Sequence, residues 1–421
     1  MDVPSTPKST VIRKPEIDKR EYRHLVLPNR LQAVVVSDKT AHSGAAALCV
    51  GVGQLDDPPE VEGLAHFLEH MLFLGTEKYP DESNFDQFCA SGGGYSNAWT
   101  SLDHTMYHFI VSEPMLRDTL DRFASFFSCP LFSESGTERE ISAVNSENNK
   151  NLQDDDRREY QLIRSTCDTA HPMARFGAGN AQTLRHPRGG ATDVREELLK
   201  LHRTLYSANL MKLAVVGNST LDALEADVRA MFSNIPDRSA EETREWARAS
   251  PFGASWRRAF LILPVSERRR VSLLFPFPPL APEFRSKPSQ VPCHLTTQRL
   301  YSSARSRAAS RHADSPPPHS PQVISHLLGH EGPGSILSVL KTLGWATELI
   351  AGPSTSLPHE SVFGVTICLT EQGLPQWQGV VQVLTTPCTL ALPAAPAPRP
   401  RRHRAARADT LSQPLLRPSP L

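Results

Sequence analysis

The stretch GLAHFLEHMLFLG, residues 63–75, decides how this chain is read. His66 and His70 stand four residues apart, so on a helix both imidazoles share a face and converge on one point. Glu69 borders that face. Leu64, Phe67, Leu68, Met71, Leu72 and Phe73 make the rest of the segment apolar, which predicts a buried helix. Two histidines and a glutamate in such a helix are costly unless something pairs with them. The order HxxEH is the reverse of the HExxH arrangement of zinc peptidases. A catalytic zinc takes three protein ligands and leaves a position for water, whose proton a nearby carboxylate accepts. His66 and His70 are therefore expected as zinc ligands, and Glu69 as the catalytic base.

A third ligand is required. TEREISAVNSENNKN, residues 137–151, offers Glu138, Glu140 and Glu147. Glu140 and Glu147 are seven residues apart, two turns on one helical face, and spacing alone does not choose between them.

Composition bounds the rest. The 421 residues are enough for two or three domains of roughly 100–200 residues. Lys plus Arg and Asp plus Glu are both 45, a balance that argues against nucleic acid or an anionic membrane as main partner. No run approaches the roughly 18 apolar residues of a spanning helix. The N-terminus has no apolar run, and Asp2, Glu16 and Asp18 weaken an organellar presequence. Seven scattered cysteines, without a CxxC pair, read as reduced thiols of a cytoplasmic protein.

Residues 1–20 read as a flexible N-terminus and 21–240 as a globular domain. Leu25–Ser37 carries two β-rich runs around Pro28-Asn29, a hairpin signal. Ala45–Val52, Tyr107–Val111 and Leu213–Val216 read as strands. Leu116, Leu120, Phe123 and Phe127 fall on one helical face, and Pro130 ends that helix. Leu221–Phe232 reads as another helix. The alternation suggests α+β or α/β layering. A second globular segment, 241–385, opens with AFLILPV and VSLLFPFP. It is interrupted at 291–322, a Ser/Arg/Ala/Pro-rich insertion expected to be disordered. That insertion begins with Val and ends with Gln, as a translated intervening sequence bounded by GT and CAG would. Message lacking the codons for 291–322 supports that reading; native peptides from the segment overturn it. Residues 386–421 are a Pro/Ala/Arg-rich tail, expected to be disordered and solvated.

Residues 15–240 closely resemble the insulysin branch of the pitrilysin family of zinc metallopeptidases. The resemblance rests on DKREYRHLVLPNRL, DDPPEVEGLAHFLEHMLFLGTEKYP, GGYSNAWTSLDHTMYHF, LDRFASFFSCPLF, EREISAVNSENNKN and HPMARFGAGNAQTL. It implies an α+β fold, mainly antiparallel sheet packed with helices, with one complete domain followed by an interrupted second one. It makes Glu147 the third zinc ligand and Glu140 a supporting acid behind the ligands. Asn97 and Ala98 match the strand that holds a peptide backbone by edge pairing. HLLGHEGPGSILSVLKTLGW, residues 326–345, matches the second domain, with His326, Gly329 and Glu331 at positions that anchor a peptide N-terminus. Two departures stand out. Pro353 sits where the companion strand of the family has a Gly-Gly-Gln-like stretch, and Arg157 stands where an aromatic residue is usual.

The resemblance ends near residue 385, so the half that closes the family's chamber has no counterpart here. The expected function is zinc-dependent cleavage of small peptides. The alternative is an inactive or partner-dependent zinc- and peptide-binding fragment, needing a C-terminal half or partner subunit to complete the chamber.

Overall fold

A computed structural model of the chain describes residues 12–185, 193–242, 244–252, 259–277, 321–357 and 360–385. The insertion up to residue 320, the first eleven residues and the tail from 386 lie outside them. The chain divides into two compact units between Val265 and Ser266.

The first unit is a six-stranded sheet with helices against one face. Its strands are β1 (Glu21–Val26), β2 (Gln32–Ser37), β3 (Ser43–Val50), β4 (Tyr95–Thr100), β5 (Thr105–Ser112) and β6 (Met211–Gly217). They lie in the order β1-β2-β6-β3-β5-β4. Every pairing is antiparallel except β2 with β6. The hairpin signal at Pro28-Asn29 becomes the β1–β2 turn. There Arg30 takes φ 67°, and the Asn29 amide donates to the carbonyls of Phe232 and Ile235 at 2.8 and 2.9 Å.

Strict alternation of burial in β3 and β5 sends Leu48, Val50, Tyr107, Phe109 and Val111 to the helical side. Against them pack α1 (Leu64–Leu72), α2 (Asn84–Ser91), α3 (Leu116–Ser128) and α4 (Glu134–Asn151). Next come α5 (Asp155–Ser165), α6 (Ala181–Arg185), α7 (Val194–Leu205) and α8 (Leu221–Phe232). The four residues assigned to one face of α3 are all buried. The apolar side of α1 is sealed as its sequence requires, with Leu64, Phe67, Leu68, Met71 and Leu72 each 0 % exposed. The α+β expectation, mainly antiparallel, is the fold observed.

Residues 244–248 lie on the first unit. Arg244 Nε and Trp246 Nε1 both donate to Asp56 Oδ1 at 3.0 Å, and His171 Nε2 donates to the Trp246 carbonyl. AFLILPV, residues 259–265, forms no strand, and Leu261 and Leu263 are exposed.

The second unit holds β7 (Arg270–Phe277), α9 (Pro321–Leu328), α10 (Ile336–Thr342), β8 (Ala346–Ser356), β9 (Ser361–Leu369) and α11 (Trp377–Thr385). Its three strands run in the order β7-β9-β8, all antiparallel. Its core is built by Leu337, Leu340, Leu349, Phe363, Val365, Ile367 and Val380.

Candidate metal centre

His66 and His70 project from the same face of α1, their rings edge to face with centroids 4.9 Å apart. Glu147 reaches them from α4. Its Oε2 stands 3.5 Å from His66 Nε2 and 3.7 Å from His70 Nε2. Among the described residues this is the only group of three His, Cys, Asp or Glu side chains whose donor atoms can meet at one ion, all within 4.8 Å. Ligands about 2.0–2.1 Å from a tetrahedral zinc stand roughly 3.4 Å from one another, so the donor set fits that ion with little adjustment.

The other ring nitrogens are engaged. His66 Nδ1 lies 2.6 Å from the Ala178 carbonyl, and His70 Nδ1 lies 3.0 Å from Glu140 Oε2. Both partners are acceptors, so each Nδ1 donates and Nε2 is the nitrogen that faces a cation, on His70 once its second proton has left. Glu140 is thus placed behind His70, and Glu147 across the site from it.

Charge in the site favours a cation. Burial works against protonation of His70, but the carboxylates of Glu140, Glu147 and Glu69 outweigh it and hold the imidazole up at about 9. The bond with His70 holds Glu147 down at about 2, against its partial desolvation. Glu69 is 7 % exposed, and burial raises its carboxyl above the usual range. Against that rise, Thr100 Oγ1 donates to Glu69 Oε2 at 2.5 Å. The Thr105 hydroxyl gives its proton to the Val52 carbonyl at 2.8 Å, so the single Thr100 proton is directed at Glu69.

Asn97, Ala98 and Thr100 lie on β4, the last strand of the sheet. Among the described residues nothing pairs with its outer edge. Ala98 N donates to the Asn97 side chain at 2.9 Å, which marks that N–H as turned to the free edge. Arg157 sits in the first turn of α5, its N–H taken by Asp154.

His326, Gly329 and Glu331 fall in the second unit, on α9 and just beyond it. The His326 and His330 rings are 5.9 Å apart, and Glu331 lies 3.6 Å from Lys341 Nζ. Pro353 takes its place in β8 opposite Phe363, beside an irregularity between Pro353 and Thr355.

Thr100, Asp57 and the Ala178 carbonyl were not singled out from the sequence. Thr100 meets Glu69 across 31 residues, and Ala178 meets His66 across 112. No periodicity links a strand or loop residue to a helix at such separations. The one available signal is that both lie inside quoted motifs, GGYSNAWTSLDHTMYHF and HPMARFGAGNAQTL.

Two family models match the chain. One, described as insulinase (peptidase family M16), covers residues 32–170; the other, described as the peptidase M16 inactive domain, covers 193–386. The chain belongs to peptidase family M16. The M16 relatives include the A-factor-processing enzyme of Saccharomyces cerevisiae, 39 % identical over 372 residues, which are 88 % of this chain and 33 % of that protein. Human insulin-degrading enzyme is 38 % identical over the same length, again 88 % of this chain and 33 % of the relative. A crystal structure of pitrilysin superposes with a TM-score of 0.73 at 26 % identity, covering 90 % of this chain and 37 % of that one. The chain spans about a third of the length of the curated relatives it matches. His66, Glu69, His70 and Glu147 fall in the first matched region; His326, Gly329 and Glu331 fall in the second. No helix among the described residues is long and apolar enough to cross a membrane.

Proposed function

We propose that this chain is the metal-bearing portion of an insulysin-type zinc endopeptidase that cuts small peptides. The observation that carries the reading is the meeting of His66, His70 and Glu147 at ligand spacing, with the buried Glu69 carboxylate beside them. Zinc, when bound, supplies a polarised peptide carbonyl and a water of lowered pKa. Glu69 is the group that takes the proton of the attacking water and returns it to the leaving amine. Thr100 engages Oε2 and so leaves Oε1 as the oxygen that handles the proton. The free edge of β4 at Asn97 and Ala98 aligns the peptide by main-chain hydrogen bonds, the peptide displacing the Asn97 side chain from Ala98 N–H. His326, Gly329 and Glu331 are assigned to the peptide N-terminus. The names of the relatives, for degrading insulin and processing A-factor, support small peptides as the substrate class.

A second reading, a partner-dependent fragment, is favoured by one observation, the one-third coverage of those relatives. Zinc content and cleavage of a fluorogenic peptide, measured beside Glu69→Gln, separate the two. About one zinc per chain with Glu69-dependent cleavage establishes the peptidase. One zinc without cleavage establishes the fragment. Absence of zinc defeats both. Balanced charge and the reduced thiols of Cys49, Cys89, Cys129 and Cys368 support a cytoplasmic location, which cell fractionation tests.

A further inference from the structure

The first N–H groups of a helix have no acceptor in a preceding turn. Five helices of the first unit meet this with their own N-cap side chains: Ser133 on α4, Asp154 on α5, Asn180 on α6, Asp193 on α7 and Thr220 on α8. Helix α1 cannot. Its N-cap is Gly63, at φ 91°, and a Cβ there would stand 2.2 Å from Gly179 Cα. The segment that crowds Gly63 is the one that sets the Ala178 carbonyl against His66 Nδ1. The close approach that leaves no room for a capping side chain at position 63 also brings the Ala178 carbonyl to His66.

Asp57, six residues before Gly63, supplies the missing acceptors. Its Oδ2 takes the Gly63 N–H at 2.8 Å and its Oδ1 takes the Ala65 N–H at 2.7 Å. The side chain is buried, and burial pushes its carboxyl up to about 7 against those two bonds and the charge of Arg164. Arg164 is buried too. It donates to the Met173 carbonyl at 3.1 Å and to Gln54, joining the loop before α1 to the segment that leads to Ala178. His66 lies in the first turn of α1, within reach of this cap; His70 lies a turn later and is held by Glu140.

We infer that Asp57 is a positioning residue for the metal centre, setting the first turn of α1 and with it the imidazole of His66. The inference rests on the proposed zinc site. Its test is metal affinity and ligand-field spectrum in the full chain, with zinc measured by chelator competition and cobalt by visible absorption. Asp57→Ala is expected to weaken zinc binding about tenfold or more and to alter the cobalt bands. Asp57→Asn, which keeps the shape and one acceptor oxygen, is expected to have a smaller effect in the same direction. Thr220→Ala, which removes the cap of α8, should lower the melting temperature while leaving zinc affinity and cobalt bands unchanged. Wild-type affinity and bands in the Asp57 variants, whatever their melting temperature, overturn the inference alone. If Asp57→Ala does not fold, Asp57→Asn decides. A wild-type chain that takes up neither metal overturns the proposed function and this inference together.

Discussion

His70 is surrounded by carboxylates, and its proton decides how the site responds to pH. Without metal its pKa is about 9 against an ordinary 6.5, and that of Glu147 is about 2 against 4.5. The raised histidine contributes stability that is complete below its ordinary value and lost as pH rises through 9. The lowered carboxylate contributes stability that is complete above its ordinary value and lost as pH falls toward 2. Between those ordinary values both contributions are whole. Melting of chelator-treated protein is therefore expected to contain a component that is greatest between pH 4.5 and 6.5, and His70→Asn should remove its alkaline limb. Zinc must displace the His70 proton, so its affinity should climb with pH by up to about tenfold per unit until His70 has titrated. Isothermal titration at several pH values checks this. For the chemistry, Glu69→Gln should keep its zinc and lose at least about a hundredfold in turnover, the scale of a positioned general base. Thr100→Val should lower kcat by about tenfold with little change in KM, and Thr100→Ser should restore it, because only the hydroxyl orients Glu69. Steady-state kinetics, on this chain or with the closing half supplied, reads both.

At the scale of elements, α1 packs on α4, α7 and β4, and α3 closes the aromatic core of the same layer. Phe123 on α3 is 1 % exposed and meets the rings of Phe85, Phe109, Phe126, Phe127 and Phe232. Truncation leaves a cavity in close-packed aromatic surroundings, so Phe123→Ala should cost roughly 3–5 kcal/mol in urea unfolding. Helices and strands were legible here because each is amphipathic with its own period. The α3 stripe and the β3 alternation state which side is buried. What periodicity does not contain is the order β1-β2-β6-β3-β5-β4, in which β6 enters between β2 and β3. The same order puts β5 between β3 and β4, which leaves β4 at the free edge with Thr100 against Glu69.

At the scale of the molecule, the first unit carries the proposed zinc ligands and base, while the chain spans about a third of its curated relatives. Supplying in trans a segment equivalent to the rest of such a relative should raise Glu69-dependent cleavage above that of the chain alone, with no change in zinc content. An unchanged rate would show that the chain works, or fails, independently of a closing half. Between the composition break at 240 and the compactness break at Val265 lies the strap of 244–248, whose Arg244 and Trp246 bind Asp56. In sequence these residues read as part of the second segment, and only their buried partner Asp56 reveals that they are fastened to the first unit.

The sequence alone determined that His66, Glu69 and His70 share a buried helix, because helical spacing and local apolar context are properties of neighbours along the chain; by periodicity it left the fold class between α+β and α/β. Its resemblance to a family chose Glu147 over Glu138 and Glu140, which spacing had left open. The resemblance also put Glu140 behind the ligands; tertiary structure alone decided that its partner is His70, that the Ala178 carbonyl sets the tautomer of His66, that Thr100 holds Glu69, and that Asp57 caps α1. Those contacts join residues on separate elements, and their geometry exists only once the sheet order and the close approach of Gly63 and Gly179 have brought the elements together.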